Sequence, residues 1–265
     1  PVILNGGRID WRYTAWPQTS RGFITIRSNS TLNVYNDHLE INGFRGISFD
    51  TLAFDAAPSG PGYALRCTHI GSHTNWTNIV LYSKFDYPSA IGHNAIIDTD
   101  TNAGCWFDKA LTIAADKILT KRGPGELIFN GAVTNNGTLA IEAGMVSNLT
   151  SALASGCLKF EVRHSNPGSG YGQLNVTTRD LTNTRLDVTA DRTLPEGAGA
   201  VLILRTSGTI ALKDLAGAAI GEGGSFQGSD RSVWMLSYAG GDGNDVAVTL
   251  ARNGLKPRGT LLMIR

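Results

Sequence analysis

The chain of 265 residues is 42% hydrophobic and only 17% charged, which supplies a sizeable core and excludes intrinsic disorder as its main state. Its 32 glycines, 25 threonines and 18 asparagines suit short strands and tight turns, and they exclude a long helical bundle. The 23 basic residues nearly balance the 22 acidic ones without forming a basic stripe, so nucleic acid is not an expected partner, and no apolar run approaches the ~20 residues of a membrane-spanning helix.

Residues 1–53 alternate short apolar runs with Asn, Gly or Asp, a pattern that predicts strands followed by turns. We interpret them as the N-terminal part of a right-handed parallel β-solenoid. The chain begins at Pro1 without an initiator Met or a leader, so we expect a processed, exported protein. An apolar segment stands at the very start, namely Val2, Ile3 and Leu4.

Residues 54–93 interrupt this pattern with three prolines and a concentration of Trp, Tyr and His, which predicts a loop-rich insertion on one face. Zinc ligand types occur there at irregular spacing, and we therefore expect no metal site and no cofactor. These residues are Cys67, His69, His73 and His93. A Cys67–Cys105 disulfide and buried free thiols, Cys157 included, both remain open.

Residues 94–165 return to short strands at even spacing, separated by Gly and Asn turns. This arrangement is typical of a parallel β-solenoid with turns of roughly 20 to 25 residues, in which each strand pairs only with its neighbours. The strand segments are Ala95–Asp98, Ala110–Ile113, Lys117–Lys121, Glu126–Gly131 and Thr138–Gly144.

A tight turn is predicted between two of these strands at Gly123-Pro124-Gly125. Pro124 presets its own backbone angle, and a flanking glycine can adopt a positive φ. A destabilising Gly125→Val substitution would indicate that Gly125 is the left-handed residue.

The sequence pattern of residues 166–252 predicts a C-terminal β-sandwich-like region. Its segment Gly240–Asp245 resembles the Gly-Gly-x-Gly-x-Asp repeat of calcium-binding β-rolls, but a single copy supplies only half a coordination shell. A hairpin that joins Trp234–Tyr238 to Val246–Leu250 is the favoured interpretation. Residues 253–265 then form a linker and an apolar terminal strand, which contains Leu261, Leu262, Met263 and Ile264.

Two stretches carry a family resemblance. Lys117–Gly131 has a Leu-Thr-Lys start, a Gly-x-Gly turn and an apolar strand that ends in Gly, and Asn135–Gly144 adds an Asn-Gly-Thr-Leu strand. Together they resemble the autotransporter-associated β-strand repeat of bacterial surface proteins. The resemblance implies an exported, passenger-like β-helix at the cell surface, and it implies no shared catalytic residues.

Carbohydrate chemistry is the alternative function. A β-helix that binds or cleaves polysaccharide, such as a tailspike, needs two carboxylates on one face, for which the sequence offers Asp50, Asp55, Asp98, Asp100 and Asp108. Aromatic side chains provide either a stacking platform for sugar rings or packing over the open end of the solenoid. These are Trp11, Tyr13, Trp16, Trp76 and Trp106, of which Trp11, Trp16 and Trp76 are the candidate glycan contacts.

The sequence as a whole favours a non-catalytic structural protein that is secreted to the bacterial surface, where it self-assembles or mediates adhesion. A solenoid presents unpaired backbone groups on its terminal strands, and such edges recruit further strands. The apolar segments at Val2–Leu4 and Leu261–Ile264 therefore predict a head-to-tail homopolymer by donor-strand addition, with surface glycans as possible further partners.

Overall fold

The computed structural model describes the backbone of residues 2–12, 23–35, 40–41, 44–49, 51–54, 65–67, 81–85, 88–92, 94–101, 103–147, 156–176, 181–205 and 210–255. Side chains are described within residues 88–92, 94–101, 104–147, 156–176, 181–204 and 210–255. This part of the chain consists of strands and turns without helices, which confirms the all-β prediction for it. It accordingly has no helix long and apolar enough to cross a bilayer.

Twenty-three strands are numbered in chain order. The first seven are β1 Val2–Arg12, β2 Phe23–Tyr35, β3 Glu40–Ile41, β4 Phe44–Phe49, β5 Thr51–Phe54, β6 Leu65–Cys67 and β7 Leu81–Phe85. The next nine are β8 Ser89–Ile91, β9 Ala95–Thr99, β10 Ala103–Phe107, β11 Leu111–Ile113, β12 Ile118–Arg122, β13 Glu126–Phe129, β14 Val133–Asn135, β15 Thr138–Ile141 and β16 Met145–Ser147. The last seven are β17 Cys157–Val162, β18 Gln173–Val176, β19 Arg185–Ala190, β20 Gly199–Arg205, β21 Ser225–Gln227, β22 Val233–Gly240 and β23 Asp245–Arg252.

The strands form three sheets. The first sheet has the order β1-β2-β5-β8-β11-β14, and the third sheet has the order β19-β17-β15-β12-β9-β6. The long sheet has the order β21-β22-β23-β20-β18-β16-β13-β10-β7-β4-β3. From β5 to β20, each strand therefore lies in a different sheet from the strand before it in the chain.

Parallel pairing dominates up to β20, and each parallel strand pairs with one that lies well away in sequence. In the first sheet, Leu111 pairs with Val133. In the third sheet, Ala95 pairs with Leu119, which pairs with Leu139. These partners are separated by roughly 20 to 24 residues, the range that the spacing of the strands predicts.

A ladder of buried leucines crosses the third sheet. Leu119, Leu139, Leu158 and Leu186 occupy successive paired positions, and each is 0% exposed. Burying one such side chain contributes about 1.5–3 kcal/mol, so the ladder is a large apolar contribution to the core. Phe107 and Phe129 pack in the same core with their ring centroids 5.8 Å apart.

A lysine interrupts this apolar interior. Lys121 pairs with Ile141 at an inward-facing position and is 0% exposed. Its ammonium donates to the carbonyls of Arg122 (2.8 Å) and Gly123 (2.7 Å) in its own turn and to that of Ala143 (3.2 Å) in the turn after β15. Because buried charges must be hydrogen-bonded, these carbonyls make the position tolerable and join two consecutive turns.

The C-terminal strands are antiparallel. Strand β20 pairs in parallel with β18 on one side and antiparallel with β23 on the other. Strands β22 and β23 form the predicted hairpin, in which Trp234 pairs with Leu250 and Ser237 with Ala247, so the hairpin interpretation is confirmed. The described residues place these strands in the long sheet, continuous with the parallel strands.

Two segments cover the outer edge of β19. The amide of Leu186 donates to the Lys213 carbonyl (2.8 Å), and the Lys213 amide donates to the Thr184 carbonyl (3.0 Å). Farther along the same edge, the Ala190 amide donates to Asp230 Oδ2 (2.8 Å), and the Ser229 amide donates to an Asp187 carboxylate oxygen (2.8 Å). The last strand of the third sheet is therefore covered rather than open.

Tyr238 fixes one of these covering segments. Its hydroxyl accepts a hydrogen bond from the Leu212 amide (2.9 Å) and donates one to the Ile220 carbonyl (2.8 Å). Burial raises the pKa of the Tyr238 hydroxyl, since its ionised form is poorly solvated there. The strand β22 is thereby joined to the segment that pairs with β19.

Replacing Lys121 with Met should lower the free energy of unfolding by at least about 2 kcal/mol, because the carbonyls of Arg122, Gly123 and Ala143 lose a donor in the interior. Urea denaturation followed by circular dichroism measures the change. Lys109→Met is the matched control, since Lys109 is exposed and should tolerate the same change. Equal effects of the two substitutions would contradict this role for Lys121.

The turn after β12 differs from the sequence-based expectation. The positive φ lies at Gly123 (76°) and not at Gly125, so Gly125 is not the left-handed residue. A Cβ on Gly123 would also overlap Asp98 Oδ1 and the Thr99 carbonyl on the adjacent β9. The constraint therefore comes from both the backbone angle and the neighbouring strand.

Gly123→Ala should destabilise the fold by more than about 2 kcal/mol, since it adds backbone strain to a steric overlap. Thermal and urea unfolding measure this effect. Gly92→Ala is the control, because a Cβ at Gly92 meets no atom within 4 Å. A Gly123 variant as stable as the Gly92 variant would show that the turn can relax at little cost.

Candidate functional site

A small groove with charged residues in its lining lies on the outer face of the third sheet. In β17, Leu158, Phe160 and Val162 are buried, whereas Lys159 and Glu161 between them face outward. The same alternation in β19 turns Thr189 outward beside Glu161, its paired residue. Because alternate residues of a strand face opposite sides of the sheet, these polar side chains lie on the outer face and the leucine ladder lies on the inner face.

The groove on this surface has a volume of about 270 Å³. Its floor is Ala140, which pairs with Lys159 and whose short side chain leaves a depression between longer neighbours. Glu142, which directly follows β15, and Glu161 on the adjacent β17 stand at one side. The complete lining is Ala140, Ile141, Glu142, Lys159, Glu161 and Thr189.

An arginine side chain lies beside the carboxylate of each glutamate. Arg122 Nε donates to Glu142 Oε2 at 2.9 Å, and Arg163 Nε lies 3.9 Å from Glu161 Oε2. Arg163 also donates through its terminal nitrogen to the Glu142 carbonyl at 2.9 Å. The guanidinium of Arg163 therefore lies between Glu161 on β17 and the backbone of Glu142, which directly follows β15.

Lys159 is held at the other side of the groove. Its Nζ lies 3.3 Å from Asp187 Oδ2 and 3.3 Å from Ser229 Oγ, and the Ser229 hydroxyl donates to the same Asp187 oxygen at 2.8 Å. Asp187 is 4% exposed, so this ion pair is partly withdrawn from solvent. The cluster fixes the ammonium and attaches the covering segment of β19 to the groove.

Chemically, this arrangement presents fixed hydrogen-bonding groups around a small apolar floor. Side chains on adjacent strands are about 4.8 Å apart, close to the separation of paired carboxylates in retaining glycoside hydrolases. Glu142, however, is hydrogen-bonded to Arg122, and Glu161 lies within ion-pair distance of Arg163. Across the side chains that the structure describes, no group of three or more His, Cys, Asp or Glu is placed to hold a metal ion.

Of the sequence-predicted carboxylates, Asp98 and Asp108 belong to different sheets. Asp98 lies on β9 of the third sheet and is 7% exposed, whereas Asp108 follows β10 of the long sheet. Asp108 accepts a hydrogen bond from Asn130 Nδ2 (2.8 Å), and Asp100 accepts one from the Thr101 amide (2.8 Å), as carboxylates at strand ends commonly do. Asp50 and Asp55 lie outside the described residues.

Most other predicted site residues also lie outside the described part of the chain or are described only in their backbone. Val2, Ile3 and Leu4 belong to β1, where they pair in parallel with β2, and Trp11 lies farther along the same strand. Those outside the description are Tyr13, Trp16, His69, His73, Trp76, His93, Leu261, Leu262, Met263 and Ile264. Trp106 is half-buried on β10.

Sequence reasoning missed the groove residues themselves. Glu142, Lys159 and Glu161 are not among the candidate site residues that the sequence suggests. The available signal was the alternation of charged and apolar residues in Cys157–Val162, which places two charges on one outer face. That Arg122 and Asp187 lie next to these residues follows only when the register between distant strands is known.

Comparisons with known proteins add no relative: no protein family, curated protein or solved structure matches this chain.

The structure describes the side chains of two of the three cysteines. Cys105 is 0% exposed, and the side chain of Cys67 lies outside the description, so a Cys67–Cys105 disulfide and buried free thiols both stay predictions for these two residues. Cys157 is a free, buried thiol on β17. Burial raises its pKa to about 11, and the nearby Asp187 carboxylate adds to the increase.

Because the Cys157 pKa is raised in the folded state, its protonated form stabilises the fold below about pH 9, and this contribution is lost as the pH rises towards 11. The free energy of unfolding of the wild type should therefore fall over this range relative to that of Cys157→Ala, which has no thiol to ionise. Urea denaturation at several pH values measures the difference. A constant difference between the two proteins from pH 8 to about 11 would contradict a buried, protonated Cys157.

Proposed function

We propose that this chain is a right-handed parallel β-solenoid that serves as a non-catalytic structural module of an exported bacterial surface protein. The antiparallel strands β20–β23 are then its C-terminal end, in the place of the predicted β-sandwich-like region. Right-handed crossovers are the strong preference for parallel strands that are connected within one sheet.

This proposal rests on the contacts that residues of the repeat-like motif make with neighbouring strands and turns. The Leu-Thr-Lys and Gly-x-Gly residues of the motif include Lys121 and Gly123, and both make contacts between neighbouring strands or turns. Leu139 of the Asn-Gly-Thr-Leu segment belongs to the buried leucine ladder. Residues that make such contacts support the stacking of one set of strands on the next, as the repeats of a structural repeat protein do.

The covered edge of β19 bears on how such a module assembles. Hydrogen bonds to Lys213, Ser229 and Asp230 occupy positions along that edge, so a second copy does not add there without displacing them. Head-to-tail assembly would instead use Leu261–Ile264 as a donor strand, with the apolar start of β1 near the acceptor end. Adhesion by a monomeric module is the alternative within the same proposal.

Size-exclusion chromatography with light scattering should show concentration-dependent assemblies of the full chain and a monomer after deletion of residues 260–265, because the deletion removes the donor strand. A matched control replaces the same residues with a polar Gly-Ser segment of equal length. If the full chain and the deletion variant have the same mass at high concentration, donor-strand assembly is wrong.

Surface exposure is checked on intact cells of the source bacterium. Brief protease treatment should release fragments of this protein, identified by mass spectrometry, while cytoplasmic marker proteins remain intact. Fragments that appear only after cell lysis would contradict the surface location, whatever the assembly state.

A further inference from the structure

The groove over Ala140 lies on the outer face of the third sheet and has no part in the stacking contacts that support the structural proposal. Its polar side chains are held in place by neighbours before any ligand arrives: Glu142 by Arg122, Lys159 by Asp187 and Ser229. Preorganised polar groups around a small concave space are typical of a ligand site.

The charges around the groove identify the class of ligand. Three cationic groups are matched by three carboxylates in the pairs Arg122–Glu142, Arg163–Glu161 and Lys159–Asp187. Because these charges balance, the groove has no excess charge that would favour a charged ligand over a neutral one. A neutral ligand can use the remaining hydrogen-bonding capacity without breaking any of these pairs.

That remaining capacity includes acceptors and a donor. Only Oε2 of Glu142 is occupied by Arg122, so Oε1 can accept a further hydrogen bond. The Thr189 hydroxyl donates to the Phe160 carbonyl at 3.4 Å and keeps its lone pairs as acceptors, and the Lys159 ammonium has a third N–H. Hydroxyl groups both donate and accept, and the Ala140 methyl group can contact an aliphatic ring face.

We propose that this groove binds an uncharged sugar unit, with Glu142 and Glu161 accepting from its hydroxyl groups, Lys159 donating to it and Ala140 beneath its ring. Its described lining residues are not among the tryptophans that the sequence suggested as glycan contacts. It adds a binding activity to the structural module and does not depend on how that module assembles.

Chemical-shift perturbation tests the proposal with defined probes. Isotope-labelled full-length protein is titrated with methyl β-glucopyranoside, methyl β-galactopyranoside, methyl α-mannopyranoside and N-acetylglucosamine, each to about 50 mM, because a single sugar unit binds weakly. At least one sugar should shift the amide signals of Ala140, Lys159, Glu161 and Thr189. Absence of such shifts with all four sugars would overturn the proposal.

Ala140→Leu should weaken binding at least tenfold, since the larger side chain fills the groove floor. Thr134→Leu is the matched control, because Thr134 is exposed on β14 of the first sheet and should leave binding unchanged. Glu161→Gln keeps the shape of the groove and should weaken binding about threefold or more, which provides a second test if the Ala140 variant does not fold.

Unchanged affinity in a folded Ala140→Leu or Glu161→Gln protein would place the sugar elsewhere and refute the assignment. Glucuronate is the charged counterpart in the same titration. Tighter binding of glucuronate than of the neutral sugars, with shifts at Arg122 and Arg163, would show an anion site instead.

Discussion

Parallel hydrogen bonding sets equivalent residues of neighbouring strands directly over one another, about 4.8 Å apart. Every inward position must then suit the residue before and after it in the stack, because no side chain can be packed independently of its paired neighbours. The third sheet satisfies this constraint with leucine at one position in four consecutive strands. The groove on its outer face inherits the same register, which brings Ala140, Lys159 and Asp187 into one row although they are distant in sequence.

The buried lysine shows how the same constraint acts on polar groups. Lys121 occupies a position that is Ile141, Phe160 and Val188 in the strands that follow. A lysine can lie at such a position only where its ammonium reaches several carbonyls, and the end of β12 supplies these from two consecutive turns. The close approach of those turns also explains why glycine is found at Gly144, where a Cβ would press on the Lys121 ammonium and on two carbonyls.

Strand positions in the middle of the chain could be predicted from the sequence because alternation and Gly/Asn turns are local signals. The predicted segments around Leu111–Ile113 and Glu126–Phe129 differ from the observed strands by only a few residues at their ends. The hairpin of β22 and β23 was predictable for the same reason. The left-handed residue of the turn was not, since either glycine of Gly123-Pro124-Gly125 permits a positive φ and the choice depends on contacts with β9.

The burial of Lys121 also escaped prediction, because a lysine that follows a strand pattern is normally solvated and its carbonyl partners come from another turn. The groove could be predicted only with the register of three strands, and the covering of β19 only with contacts to residues 27 to 42 positions later in the chain. These features depend on pairing at long range. Local composition carries no information about which distant strands become neighbours.

The covered edge of β19 has a consequence for how this protein can change in length. Each parallel strand contacts chiefly its two neighbours in the sheet. The segments that cover β19 instead make contacts that only β19 offers, through Lys213, Ser229 and Asp230. Duplication of a full set of three strands upstream of β19 would leave every one of those contacts intact, because the inserted strands would meet only others of their own kind. A duplication whose inward-facing residues stay in register would therefore extend the parallel sheets without disturbing the cover of β19.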